Sequence, residues 1–468
     1  MTREPVINKI KNTINNNRCF MIILLIGIVI RTVWLFVLAY NESFSYAGDI
    51  DGYIKNAESV VNEGHLIYDG FRTPGYPLII SAFMLISKTY YYLLVCIFQN
   101  ILNVIAVCAV YQIVIMLVDS NKAACIGATI AVLNFHDIYF ADIMLTDSVA
   151  QSLTIFSLLF LIMFLHKENS GKKAKICYLC VCAVLLSFAL SVRPSLLFLP
   201  VAYVLGLVFV VIRRKKYRWI IPVILIVSII CYTPVCAWTI RNKTVADYNG
   251  YSTVSSINLY CYNSAAVYSK QNNMDYNETV EYLKQGKDKK YQEYLKSMDK
   301  YKAMDKRAKE IIFSDVPCYV KRCAIDVAAL ELYPGALSFN GVKESYETVI
   351  SNVKQNGVSA LFEKNGLAES SWLFVIVIDC LLLLMLFVLS VIGAIKLIRK
   401  CWVPAVFLIG TVLYNIIICC QPVGYGSYPR FRLSFSMISI ILVACSFGIR
   451  TIKSKKSKNK ASAESDQA

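Results

Sequence analysis

Histidine is nearly missing from this sequence. Three histidines, His65, His136 and His166, stand in 468 residues. None accompanies a CxxC pair at zinc-ligand spacing, so the chain offers no structural zinc site. Cys177-Tyr-Leu-Cys180 is a lone CxxC in an apolar stretch and reads as packing, like most of the 17 cysteines, which behave there as small hydrophobes. There is no glycine pattern of a phosphate loop, no repeat of 20–50 residues, and no inverted repeat between the halves. No cleavage pattern precedes the first apolar run, which is expected to stay as an anchor. Charge is scarce too, at 17% of residues, against about 25% in a soluble domain. Acid is the scarcer sign, 31 Asp and Glu against 48 Lys and Arg, a net charge of +17.

Apolar residues fill the space. They make up 57% of the chain, and the mean hydropathy is +0.54. Apolar runs near 19–40, 91–118, 123–141, 147–165, 176–192, 195–212, 219–240, 372–395, 402–420 and 431–449 approach or exceed the roughly 18 residues that cross a bilayer. The fold class is therefore an all-α polytopic membrane protein with about ten transmembrane helices. Residues 74–87 are apolar but too short to span, and are expected to lie in the interface or to re-enter.

The basic residues mark orientation and give no support to nucleic-acid binding. Lys and Arg concentrate before residue 19, in 166–175, in 213–218, in 396–400 and after Arg450. All of these share one side if both termini are cytoplasmic, as the positive-inside rule requires. That places the chain in the cell membrane as a multi-pass protein, its basic face toward anionic membrane lipids. The expected organisation is a transmembrane part over 1–240 with an outer loop at 41–90, an outer domain over 241–371, C-terminal helices over 372–450, and a basic disordered tail over 451–468. Tyr, Leu and Met recur at three- and four-residue spacing in 276–312, which reads as amphipathic helix.

Charged residues near the membrane are the informative ones, since a charge at its centre costs at least about 2.5–3.5 kcal/mol. They gather toward the outer face: Asp49 and Asp51 after the first helix, Arg72 before the short apolar segment, Asp137, Asp142 and Asp147 at the third junction, then Arg193, Arg241, Arg430 and Arg432. Carboxylates there can take a proton or hold a metal, and arginines can grip phosphate through forked hydrogen bonds. Asp51, Asp137 and Asp142 fit solvated loop residues equally well. Two charges lie deeper, Arg31 and Asp379, at matching depths that predict an ion pair.

Asp49-Ile-Asp-Gly-Tyr53, then Ala57, then Phe71-Arg-Thr-Pro-Gly-Tyr-Pro77 resembles the first outer loop of the polytopic GT-C glycosyltransferases. The nearest likeness is to the family 39 group, which includes protein O-mannosyltransferases and the aminoarabinose transferases of lipid A. Leu145-Thr-Asp147-Ser, Arg193-Pro194, Trp238-Thr-Ile-Arg241-Asn242, Arg307-Ala-Lys-Glu-Ile-Ile312 with Pro317, and Tyr428-Pro-Arg430-Phe-Arg432 extend the likeness over about 19–450. The resemblance implies transfer of a sugar from a polyprenyl-phosphate donor to a hydroxyl of a lipid, glycan or protein on the outer face, with inversion. It implies Asp49, Asp51 and Asp147 as catalytic carboxylates, and Arg72, Arg193, Arg241 and Arg430 on the donor phosphate. Many relatives have Asp followed directly by Glu in this loop. Here Ile50 follows Asp49 and the second acid is Asp51, which leaves open which of the two acts and whether a divalent metal binds; no other cofactor is implied. A lipid or polysaccharide transporter, or a polysaccharide ligase or polymerase, is the alternative.

Overall fold

The computed structural model describes residues 17–40, 49–67, 70–166, 171–335, 370–420 and 428–449. The tail expected at 451–468 and the end of the outer domain lie outside the described residues. Among the described residues every regular element is a helix. In chain order these are α1 (Arg18–Tyr40), α2 (Ile50–Glu63), α3 (Gly75–Ile86), α4 (Tyr91–Val118), α5 (Asn121–Leu133), α6 (Phe135–Ala141), α7 (Thr146–His166), α8 (Lys172–Val192), α9 (Leu199–Arg213) and α10 (Ile220–Val245). The outer domain follows with α11 (Val254–Ile257), a π-turn (Asn258–Asn263), α12 (Ala265–Asn272), α13 (Tyr276–Lys284), α14 (Lys289–Leu295), α15 (Lys300–Ser314) and α16 (Val316–Leu332). The chain closes with α17 (Ser370–Cys419) and α18 (Tyr428–Gly448).

Among the described residues eight helices are long and apolar enough to cross a membrane, nine with the α5–α6 pair, which bends by 49°. The bend sits at Asn134, whose extended backbone ends α5 and whose side chain caps α6 by accepting from the His136 amide, an N-cap role that Asn favours. The 50 residues of α17 would measure about 75 Å if straight, against a hydrocarbon layer of about 30 Å. The helix breaks at Cys401 (φ −151°, ψ 84°). Its first half runs from Asp379, beside His136, to Lys396, which donates to the Ser446 carbonyl. Its second half returns from Trp402 to Tyr414, whose hydroxyl donates to the Ser195 carbonyl. The two halves are thus antiparallel, so with α17 counted twice and the bent α5–α6 pair counted as one span the described residues supply segments for ten crossings.

Side-chain contacts sort the helix ends into two sets. At the lower end Tyr111 reaches Asn17 and Asn121, Lys400 reaches the Val118 carbonyl and Arg214 the Leu165 carbonyl. The start of α1 and the finish of α18 both lie here, since a Cβ on Gly448 would strike Val118. The upper end holds α2, α3, the 141–147 turn and the outer domain. The 12 residues of α3 are apolar and too short to span, as expected for 74–87. Leu85 and Ile86 are exposed.

Two expectations change. The region 276–312 forms three helices, not one. Asp275, Asp288 and Asp299 each accept hydrogen bonds from the amides that follow and start a new helix, while Gly286 turns with φ +66°. Arg31 and Asp379 also do not pair. Arg31 donates to Asn100 (3.2 Å) and Asn103 (2.7 Å), and Asp379 meets His136 at 3.4 Å. Equal depth does not make two helices neighbours.

Candidate functional site

Asp49 stands immediately before α2, where an aspartate normally caps the helix. Its backbone is already helical and its side chain makes no cap, so the carboxylate is left for other partners. Those are two arginines: Arg72 donates to Oδ1 at 2.9 Å and Arg430 to Oδ2 at 2.8 Å. Arg430 is shared, because its Nε also donates to Asp147 Oδ2 at 2.8 Å. The other oxygen of Asp147 takes a hydrogen bond from Arg193. The result is one unbroken alternation, Arg72–Asp49–Arg430–Asp147–Arg193, drawn from four separated segments. Three cations against two anions leave it with one net positive charge.

Local sequence explains each placement. Asp147 lies in the first turn of α7, where the helix dipole favours an anion, and it is buried. Arg193 ends α8 in an extended conformation ahead of Pro194, and its Nε donates to Ser195 at 3.0 Å. Arg430 enters with the first turn of α18. Arg72 lies 4.2 Å above the Tyr53 ring and 4.6 Å from that of Phe71, and donates to the Tyr53 hydroxyl at 3.2 Å. Gly52 makes this possible, since a Cβ there would sit 3.3 Å from the guanidinium. The Nε of Arg72 is buried and has no acceptor, so the site keeps an unused donor.

Asp49 is the exposed member, its side chain 41% accessible against 0% for Asp147. Burial alone would raise its pKa. The charge and hydrogen bond of Arg430, and then those of Arg72, outweigh burial and hold it down at about 2.

Five of the residues expected at the site therefore come together: Asp49, Asp147, Arg72, Arg193 and Arg430. Asp51 does not join them; it is exposed on α2. Arg241 is at the same end but donates to the Leu66 and Ile67 carbonyls at 2.8 Å each and to Asn242 Oδ1 at 3.1 Å. It braces the loop that leads to Arg72. Ser252 (to the Phe71 carbonyl, 2.7 Å) and the Thr253 amide (to that of Gly70, 3.0 Å) hold the same loop from the outer domain. Arg432 ties the outer domain to α18 through the Leu330 carbonyl at 2.8 Å.

Asp137 and Asp142 are not solvated loop residues. Both are buried, Asp137 held by Gln151 and Ser436 (3.1 Å each) and Asp142 by Asn100 (2.6 Å). Gln99 was not singled out from the sequence, yet it is central. Its amide donates to the Ala141 and Ile143 carbonyls (2.8 and 2.9 Å) and accepts from Tyr76 (2.9 Å), joining α3 to the turn that presents Asp147. The signal was present as Gln99, Asn100 and Asn103, a polar patch within an apolar helix, where polar side chains need partners.

Each oxygen of Asp49 and Asp147 accepts a hydrogen bond from a guanidinium. Among the described residues no three His, Cys, Asp or Glu side chains gather in a metal-holding group.

No family model matches the chain, and no curated protein does. Solved structures match. The archaeal oligosaccharyltransferase AglB from Archaeoglobus fulgidus, in complex with an inhibitory peptide and a dolichol-phosphate, superposes with a TM-score of 0.50 at 10% identity, over 93% of this chain and 50% of that one. A second A. fulgidus oligosaccharyltransferase structure, tethered to an acceptor peptide, gives 0.49 at 12% identity, over 92% and 49%. The chain thus spans about half the length of these structures. At such identity the likeness is one of fold, and it defines the class: this is an all-α polytopic membrane protein that shares its fold with about half of the AglB oligosaccharyltransferase chain.

Proposed function

We propose that this protein is a membrane glycosyltransferase that moves a sugar from a polyprenyl-phosphate donor to an acceptor hydroxyl at the upper end of the bundle, with inversion. The observation that carries this reading is the arginine–aspartate alternation. Three guanidiniums are fixed within one site, more cation than its two carboxylates neutralise, and one has a donor to spare. A phosphate diester whose ester oxygen must leave as a monoester anion needs such preorganised donors. The acceptor oxygen attacks the anomeric carbon, the carbon–oxygen bond to phosphate breaks, and its electron pair goes to the phosphate held by Arg72 and Arg430. The acceptor's proton goes to Asp49, the accessible carboxylate. Asp147, buried between Arg193 and Arg430, keeps those arginines in place. The outer domain, fastened to the first loop through Ser252 and Thr253, forms the acceptor side. The family 39 likeness of the first loop and the fold shared with a dolichol-phosphate-bound oligosaccharyltransferase both favour a lipid-linked donor.

The test is to incubate purified protein in lipid with radiolabelled polyprenyl-phosphate sugars and membrane acceptors. Label is expected to leave the donor and appear on a lipid, glycan or protein fraction. Movement of intact donor across the bilayer without transfer would select the transporter reading instead.

The same proposal places both termini in the cytoplasm and the upper end outside. A cysteine at the exposed Ser297 is expected to react with an impermeant maleimide in intact cells, in a background cleared of reactive thiols. One at Lys172 is expected to react only after the membrane is opened. The reverse pattern would turn the whole bundle over.

A further inference from the structure

The lower end, opposite the arginine–aspartate site, holds a cavity of about 900 Å³ between the ends of α4 and α7, the turn after α9 and the break in α17. That is within the range of small-molecule pockets, roughly 300–1,000 Å³. The break makes the space. Pro404 has no amide hydrogen for the Lys400 carbonyl, and Cys401 leaves helical geometry, so α17 turns back here and cannot fill the gap between its neighbours.

The wall is amphipathic in a definite sense. Leu117, Ile162, Leu165 and Val403 line it and are buried. At the rim stand Lys400, Arg214 and Trp402. Lys400 gives one ammonium hydrogen to the Val118 carbonyl at 3.1 Å and has two more. Asp119 and His166 also border the cavity. The neighbouring turn adds exposed Arg213, Lys215 and Arg218. Trp402 is 37% exposed and sits where span meets loop, the level at which tryptophan favours the headgroups.

A hydrocarbon floor under a cationic rim suits neither a neutral lipid nor a free phosphate. It suits one molecule carrying an anionic head and a hydrocarbon tail, and basic pockets between transmembrane helices hold such headgroups. We propose that this cavity is a binding site for an anionic phospholipid of the surrounding bilayer, its phosphate on Lys400 and Arg214 and one acyl chain along Leu117, Ile162 and Leu165. The site is separate from the donor site and does not depend on the transferase reading.

Phosphatidylglycerol, phosphatidylcholine and glycerol 3-phosphate are titrated separately into the purified full-length protein in detergent. One phosphatidylglycerol is expected to stay bound in native mass spectrometry, in preference to phosphatidylcholine, and glycerol 3-phosphate is expected not to bind. Lys400→Gln with Arg214→Gln is expected to weaken phosphatidylglycerol binding about tenfold or more. Lys215→Gln with Arg218→Gln, on the adjoining surface, is expected to leave it within about twofold. A measurement on the unsubstituted cavity guards against misfolding. Phosphatidylglycerol brominated in the acyl chain is expected to quench the fluorescence that Trp402→Phe removes, and brominated phosphatidylcholine much less. Equal binding or quenching by the two lipids would overturn the proposal. So would binding of glycerol 3-phosphate as strong as that of the lipid, or equal losses in the two double variants.

Discussion

Asp49→Asn is expected to lower transfer by about 10²–10⁴, the contribution typical of a general base, in protein that still folds and still binds donor. Asn preserves the shape and its one carbonyl oxygen can accept from either Arg72 or Arg430, which use separate oxygens of Asp49. Its amide nitrogen only donates, so one guanidinium loses its acceptor and the acceptor's proton has no base. Asp51→Asn is the control. It removes a carboxylate of the same loop that is exposed and outside the alternation, and its turnover is expected to stay within a few-fold of the unsubstituted protein. Near-normal turnover in Asp49→Asn with collapse in Asp51→Asn would move the base two residues along. Asp49 also has a pH signature. A carboxylate held at about 2 by Arg430 and Arg72 is ionised throughout the working range but is a weak base. Donor phosphate competes for the same guanidiniums, so in the complex the pKa of Asp49 is expected to rise toward the ordinary value of about 3.9. The acid limb of kcat, which reports the complex, is therefore expected at higher pH than that of kcat/KM, which reports the free enzyme. Coincident limbs would remove the competition. For stability the sign is that of a depressed acid: the pairing contributes fully above about pH 4 and is lost as pH falls toward 2.

Arg430→Ala is expected to damage fold and activity together. Among the described residues Arg430 alone touches both carboxylates. Without it Asp147 stays buried with Arg193 alone, and breaking a buried ion pair by removing one partner costs about 3–5 kcal/mol. Arg430→Lys is the sharper probe. A single ammonium lacks the fork that reaches Asp49 through one nitrogen and Asp147 through another, so it is expected to recover part of the stability but little of the rate. Thermal unfolding and transfer assays on the same preparations separate the two effects. Full activity in Arg430→Lys would mean that charge alone suffices and the shared geometry is irrelevant.

Much of this architecture was open to inspection in the residues themselves. Apolar length set the spans, because a helix crossing hydrocarbon must satisfy its own backbone and cover roughly 30 Å. The alternation of basic loops grouped the helix ends. The same reasoning marked Asp49, Arg72, Asp147, Arg193 and Arg430, since charges are costly near a membrane and must have a use or a partner. Hydropathy was blind where two structures share one composition. Asp288 and Asp299 suit a polar helix face or helix caps, and only the backbone decides between them. Hydropathy averaging also passed over Gln99, although it stands with Asn100 and Asn103 as a polar patch in an apolar run.

What the sequence determined alone is which segments are long and apolar enough to span, the end of the bundle to which the charges belong, and the residues that would compete for a site. What only the tertiary structure decided is pairing. Arg31 went to Asn100 and Asn103 rather than Asp379, Arg241 to loop carbonyls rather than the site, and Arg430 to two aspartates at once. Hydropathy and charge act along one coordinate, depth in the membrane. A hydrogen bond needs its partners within about 3 Å in all three, and lateral neighbours are set by how helices pack.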